Sequence, residues 1–218
     1  MSGPTVLVMA KAPVPGRAKT RLAVATGDEV AADLAAAALL DTIAAVAALP
    51  GARGHLALTG DLPTASRGAE LVAAVEGWRV TAQRGASFAE RLAAAHLDAG
   101  PGPVVQVGMD TPHLTPQLLA GVLDDLAGHD ACLGLAPDGG WWALARHDPA
   151  VAAPLARVAM STPTTYDDTR AALVDAGHRV SSTTPLGDVD TIEDAAEVAR
   201  LAPETRFAAA FRAWEARS

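Results

Sequence analysis

The chain reads as an α/β protein with a mixed, mostly parallel sheet covered by helices on both faces. Three observations predict this. Apolar runs of strand length alternate with helical patterns almost throughout the 218 residues, the mark of successive βαβ units. One pair of apolar runs is separated only by Pro137-Asp138-Gly139-Gly140, too few residues for a helix, so one antiparallel hairpin is expected in the same sheet. The length fits a single domain spanning 1–218, and such a chain buries about 70% of its unfolded surface without staples.

The first strand is expected over 5–10, where Val6-Leu7-Val8-Met9-Ala10 is unbroken by any polar residue. It delivers into Lys11-Ala12-Pro13-Val14-Pro15-Gly16-Arg17-Ala18-Lys19-Thr20-Arg21-Leu22, read as one turn-rich loop. An alanine-rich helix follows over 28–48 and is stopped by Pro50-Gly51. Strands over 54–59 and 78–83 enclose a helix over 65–75, and a helix over 87–98 leads to a fourth strand over 103–108. Thr115 is an N-cap with Pro116 at the first helical position, which starts a helix over 115–128. The hairpin strands occupy 131–136 and 141–146. A helix over 164–176, a strand over 178–183, a helix over 191–201 and a last helix near 204–216 complete the order. Thr191 with Asp194 has the spacing of a capping box.

Charge is unevenly placed. The net charge is −8, yet the first 21 residues carry Lys11, Arg17, Lys19 and Arg21 and no acid. A cationic loop on an acidic body suits one compact anion such as a di- or triphosphate. It is not a Walker loop, because Ala18 and Pro13 stand where that loop needs glycine. The acidic remainder argues against a nucleic-acid surface, which relies on distributed Lys and Arg. No apolar stretch is expected to span a membrane, since Ala31 to Leu49 is interrupted by Asp33 and Asp41. With a first apolar run too short for a signal peptide, a cytoplasmic protein is expected. The single cysteine, Cys132, lies in an apolar run and reads as a core thiol.

Topology gives the loop a neighbour. In a doubly wound sheet, strand 4 returns beside strand 1, and ligands bind at the carboxyl ends of those two strands. Strand 1 ends at the basic loop and strand 4 at Gly108-Met109-Asp110-Thr111-Pro112. Asp110 is a turn aspartate or, beside phosphates, a Mg²⁺ ligand. A second carboxylate is sought in Gly187-Asp188-Val189-Asp190-Thr191, where Asp190 alternatively serves the positive end of the following helix. Asp138-Gly139-Gly140 suits a hairpin whatever the function. Trp141 and Trp142 are adjacent in a strand and face opposite ways. One exposed beside the crevice could stack on a base or sugar, but core packing is expected for both. His113 is close enough to Asp110 in sequence to reach a substrate.

Together these segments resemble the radical-SAM/selenodomain-associated transferase family of the nucleotide-diphospho-sugar transferase superfamily. The resemblance rests on Lys11 to Leu22, Gly108 to Pro112, Asp138-Gly139-Gly140 with its following aromatic, Ser161-Thr162-Pro163, and Asp188 to Thr191. Lys19-Thr20-Arg21-Leu22 is also similar to the corresponding loop of 2-phospholactate guanylyltransferases. The resemblance implies a GT-A/Rossmann-like three-layer αβα sandwich. It implies that Lys11, Gly16, Arg17, Lys19 and Arg21 hold a nucleotide's phosphates, that Asp110 and Asp190 (or Asp188) hold a metal, and that Asp138, Gly139, Gly140 and Ser161 face the acceptor. Gln83 and Arg91 persist from a family motif on the nucleotide side, whereas Ser87, Phe88 and Ala89 depart from it.

The expected activity is nucleotidyl transfer dependent on Mg²⁺ (or Mn²⁺). A nucleoside triphosphate would give its NMP to a small phosphorylated or carboxylate acceptor and release pyrophosphate, with Lys19, Asp110 and Asp190 central to the chemistry. Glycosyl transfer from a nucleotide sugar and nucleotide binding without turnover are the alternatives. The base, the acceptor and the oligomeric state are left open by the sequence.

Overall fold

A computed structural model describes residues 3–217. Along the chain the strands are β1 (Thr5–Lys11), β2 (Arg53–Thr59), β3 (Arg79–Ala82), β4 (Val104–Val107), β5 (Ala131–Leu135), β6 (Trp141–Arg146) and β7 (Val180–Thr183). They form one sheet in the order β3-β2-β1-β4-β6-β5-β7. β1 lies between β2 and β4, parallel to both, as the doubly wound reading expects. β6 is antiparallel to β4 and β5, and β7 is again parallel to β5. The hairpin 131–146 is therefore present, and its second strand is inserted beside β4.

The helices are α1 (Thr20–Thr26), α2 (Asp28–Ala47), α3 (Gly68–Ala74), α4 (Phe88–Ala99), α5 (Pro116–Leu126), α6 (Thr165–Asp175), α7 (Ile192–Leu201) and α8 (Arg206–Glu215). Side chains alternate across β1, so Val6, Val8 and Ala10 enter one core with residues of α2 and α5. Leu7 and Met9 enter a second core with Leu92 of α4 and Leu173 of α6. A third apolar cluster joins Leu22, Leu34, Val198, Phe207 and Phe211, packing α1, α2, α7 and α8 together.

Besides a short 3-10 helix over Leu62–Thr64, two elements depart from the sequence reading. The basic loop was expected to run to Leu22, but α1 begins at Thr20. Lys19 makes the break: it holds a left-handed backbone, φ 48° and ψ 51°, and turns the chain into the helix. A 3-10 helix, Pro149–Arg157, follows β6 where no element was expected. Pro154 lies inside it and denies the backbone hydrogen bond that an α-helix would need there.

The expected interruption of the apolar stretch by Asp33 and Asp41 is also corrected. α2 is long and apolar enough to cross a membrane by length and composition, and 78% of that stretch is buried inside the fold. It is apolar nearly all round because the sheet covers one side and α8 another. The two acids are accommodated. Asp33 accepts from Arg67 Nε and Nη2, each at 2.7 Å. Asp41 accepts backbone N–H groups at the start of α8.

Candidate active site

A cleft of about 850 Å³ opens at the carboxyl ends of β1 and β4 and the start of β6. Its edge is fixed by backbone as well as side chains. The N–H of Val189 donates to the carbonyl of Asp110 at 2.9 Å, tying the segment before α7 to the exit of β4. The capping box of α7 then holds the same segment from the other end. Thr191 Oγ1 accepts from the N–H of Asp194 at 3.2 Å, and Asp194 Oδ2 accepts from the N–H of Thr191 at 2.8 Å. Asp188 and Asp190 are thus delivered to Asp110 by two local hydrogen-bond motifs.

Lys19 closes the cluster from the other side. Its Nζ donates to Asp110 Oδ2 at 2.6 Å and to Asp190 Oδ1 at 2.7 Å. Arg21 Nη1 donates to Asp190 Oδ2 at 3.1 Å. Burial alone would lower the pKa of Lys19. The charges of Asp110 and Asp190 and their hydrogen bonds outweigh it, and the ammonium is held well above its ordinary range. Asp188 takes no part in the ion pairs. Burial, then the nearby charge of Asp110, push its carboxyl up to about 6.

One carboxylate oxygen from each of Asp110, Asp188 and Asp190 lies within 4.8 Å of the other two. An octahedral Mg²⁺ with bonds of about 2.1 Å places its oxygens roughly 3 to 4.2 Å apart. The donor set, three hard oxygens carrying an excess of negative charge, therefore fits Mg²⁺ or Mn²⁺.

The cleft is lined by Lys11, Arg17, Lys19 and Arg21 of the basic segment, by Gln83 and Arg91, and by Asp110, Asp138, Gly140, Ser161, Asp188 and Asp190. Gly16 and Gly139, expected to touch ligand, are not among the lining residues. Both instead have left-handed backbones, at φ 71° and φ 87°. A Cβ on Gly139 would come within 2.0 Å of the Pro163 carbonyl oxygen, so this glycine allows the hairpin to pack against the segment before α6. His113, considered as a substrate contact, does not line the cleft either. Burial lowers its pKa.

Among the lining residues given no role in the sequence reading, two are notable. Trp141, expected in the core with Trp142, is only half-buried and forms cleft wall, its Nε1 donating to Thr169 Oγ1 at 3.1 Å. Trp142 is buried and donates to the Thr184 carbonyl at 3.0 Å. The two rings face opposite ways, as the alternation of side chains along a strand requires. Gln106, a polar residue inside the apolar run of β4, is the other.

A family profile described as "Uncharacterized protein conserved in bacteria (DUF2064)" matches residues 42–162. A crystal structure from Desulfovibrio desulfuricans G20, described as a candidate nucleotide-diphospho-sugar transferase, is 27% identical. The match covers 99% of this chain and 96% of that one, with a TM-score of 0.82. A CMP:2-keto-3-deoxy-manno-octonic acid synthetase complexed with CTP is 14% identical over 93% of this chain and all of that one, at a TM-score of 0.55. The Rv0371c protein of Mycobacterium tuberculosis H37Rv in complex with manganese is 21% identical over 89% of this chain and 97% of that one, at 0.53. These neighbours share the α/β fold, and the first two are described as transferase or synthetase. No curated protein matches the sequence.

Proposed function

Because the chain belongs to the uncharacterized bacterial family DUF2064 and its basic segment is drawn onto a triad of carboxylates, we propose that it is a divalent-metal-dependent nucleotidyltransferase. Its substrates are a nucleoside triphosphate and a small phosphorylated or carboxylate acceptor, met in the cytoplasm. The observation that carries this reading is Lys19 Nζ bridging Asp110 and Asp190 at 2.6 and 2.7 Å. Cations for phosphate and anions for metal meet at one point, and nucleotidyl transfer needs both there. The CTP and manganese complexes among proteins of similar fold are consistent with it.

Asp110 and Asp190, with Asp188 beside them, are the residues that would hold Mg²⁺ or Mn²⁺. Bound there, the ion supplies charge neutralisation and alignment of the phosphates. Lys11, Arg17 and Arg21 line the same cleft and bind the triphosphate, Arg in particular by paired N–H donors. The acceptor oxygen attacks the α-phosphorus, the bond from that phosphorus to the bridging oxygen breaks, and pyrophosphate leaves. A phosphate or carboxylate acceptor is already anionic at neutral pH, so no side chain has to remove a proton from it. The work left to the protein is positioning and neutralising charge on the leaving pyrophosphate. Lys19 and Arg21 take that second task, and Asp138, Gly140, Ser161 and Trp141, which line the same cleft, receive the acceptor.

Glycosyl transfer from a nucleotide sugar is the second reading, favoured by the near full-length likeness to the Desulfovibrio protein. One assay separates them. Pyrophosphate release is measured from the four nucleoside triphosphates with pooled small phosphorylated and carboxylic acids, in Mg²⁺ or Mn²⁺. Nucleoside diphosphate release is measured in parallel from nucleotide sugars. Metal-dependent pyrophosphate is the expected result; diphosphate release alone would transfer the assignment to glycosyl chemistry.

A further inference from the structure

Three buried polar side chains run in sequence beneath the cleft, in the core between the sheet and α4. Arg146, at the end of β6, is fully buried and makes no salt bridge among the described residues. Its guanidinium donates to the carbonyl oxygens of His96 at 2.6 Å and Gly100 at 2.7 Å. Its Nε donates to Nδ1 of His96 at 3.3 Å. An arginine nitrogen can only donate, so Nδ1 accepts and the proton of His96 sits on Nε2. Burial, then the guanidinium alongside, hold the ring neutral, with its pKa pushed down to about 3.

The proton on Nε2 needs an acceptor and closes no hydrogen bond. The side chain facing it is Gln106, whose Oε1 is likewise buried and interacts with the ring without closing a full hydrogen bond. Gln106 is only 3% exposed, and it lines the cleft. With Oε1 turned to the ring, its NH₂ is the end left to meet a ligand, and it makes no hydrogen bond among the described residues. Met9, Leu92, Trp141 and Met160 give the cleft apolar lining on this face of the sheet, and Arg91 of α4 lines it too. Two facing orphans under a cleft are costly where two aliphatic side chains would pack without penalty.

We propose that Gln106 is the donor at the floor of an acceptor subsite and receives a carboxylate of the acceptor, its amide oriented by His96 and Arg146. This rests on the transfer reading above and extends it to the acceptor's second functional group. A carboxylate oxygen accepts from the Gln106 NH₂, and the bonded amide draws its Oε1 onto the His96 N–H, so the chain is completed when the subsite fills. The unpaired charge of Arg146 favours an anion at the far end. A single neutral amide matches a monoanionic, planar carboxylate better than a phosphate dianion, which calls for several donors.

Two probes of similar shape test this by calorimetry, phosphoglycolate and isobutyl phosphate, which differ in a carboxylate against an isopropyl group. Wild-type protein is expected to bind phosphoglycolate about tenfold more tightly, the ratio typical of one charge-assisted hydrogen bond. Gln106→Met is expected to bring the ratio close to one, and Gln106→Glu, which keeps the shape, to bring it below one. His96→Phe removes the Nε2 proton and should lower the same ratio, which general destabilisation does not alter. Equal binding of the two probes by wild-type protein, or a preference that survives in both Gln106 variants, would overturn the proposal. Pyrophosphate release reports separately: a probe preference without any nucleotidyl transfer would retire the reaction and keep the subsite.

Discussion

Two sets of carboxylates in this molecule are satisfied in opposite ways. Asp41, buried in α2, accepts the backbone N–H groups of Arg206 at 3.1 Å and Phe207 at 2.8 Å, anchoring the start of α8. Asp110 and Asp190 share a single lysine ammonium at the mouth of the cleft. A backbone donor cannot leave without unravelling the helix it belongs to. A lysine side chain can leave by rotation about its own bonds and free both carboxylates. The first arrangement builds architecture; the second is suited to turnover.

The comparison breaks most sharply at Asp110. Asp110→Ala is expected to reduce pyrophosphate release by at least about 10²–10³-fold, the scale for loss of a group that stabilises developing charge. Circular dichroism and melting temperature should stay close to wild type, and retained turnover would remove the metal role. Lys19→Met comes next. Turnover should fall about 10²-fold, again the scale of a lost charge contact in the transition state, while Mn²⁺ alone should bind more tightly because its internal competitor is gone. Weaker Mn²⁺ binding, measured by calorimetry, would mean that Lys19 organises the carboxylates instead of competing for them.

Asp41→Ala addresses the other partner in the comparison. It leaves buried N–H groups of α8 unsatisfied and should cost roughly 2–3 kcal/mol in urea unfolding, typical for hydrogen bonds to a charged group. Activity per folded molecule should be unchanged. The smallest effect is one of pH. The carboxyl of Asp188 lies near 6 in the folded protein, above the ordinary carboxylate value, so its contribution to stability is present in acid and is lost as pH rises through 6. A cation must find this group ionised. The rise in melting temperature produced by Mg²⁺ or Mn²⁺ should therefore be small at pH 5 and grow through pH 6. A metal-induced rise independent of pH would exclude Asp188 from the site.

Much of the frame was legible in the sequence because its signals are local. Alternating apolar runs gave the strands, Thr115-Pro116 and Thr191 with Asp194 marked helix starts, and a four-residue turn required the hairpin. The adjacency of β1 and β4 followed from the topology common to such sheets, and it places Lys19 and Asp110 in one neighbourhood. What was not legible depends on contacts distant in sequence. His96 and Arg146 are fifty positions apart and neither has a motif around it. Gln106 reads as a blemish in an apolar strand until its neighbours are known. α1 was missed because nothing in a run of prolines and basic residues announces that Lys19 will hold a left-handed backbone.

Among the described residues three that are not glycine carry that backbone, Lys19, Arg67 and Ser161, and the first and third stand in the walls of the cleft. Each such residue is held at a cost of about 1–2 kcal/mol relative to ordinary backbone. Selection for endurance at high temperature would favour glycine at both places. At position 161 the chain could accept it and gain robustness, whereas at position 19 the hardier molecule would be a disarmed one.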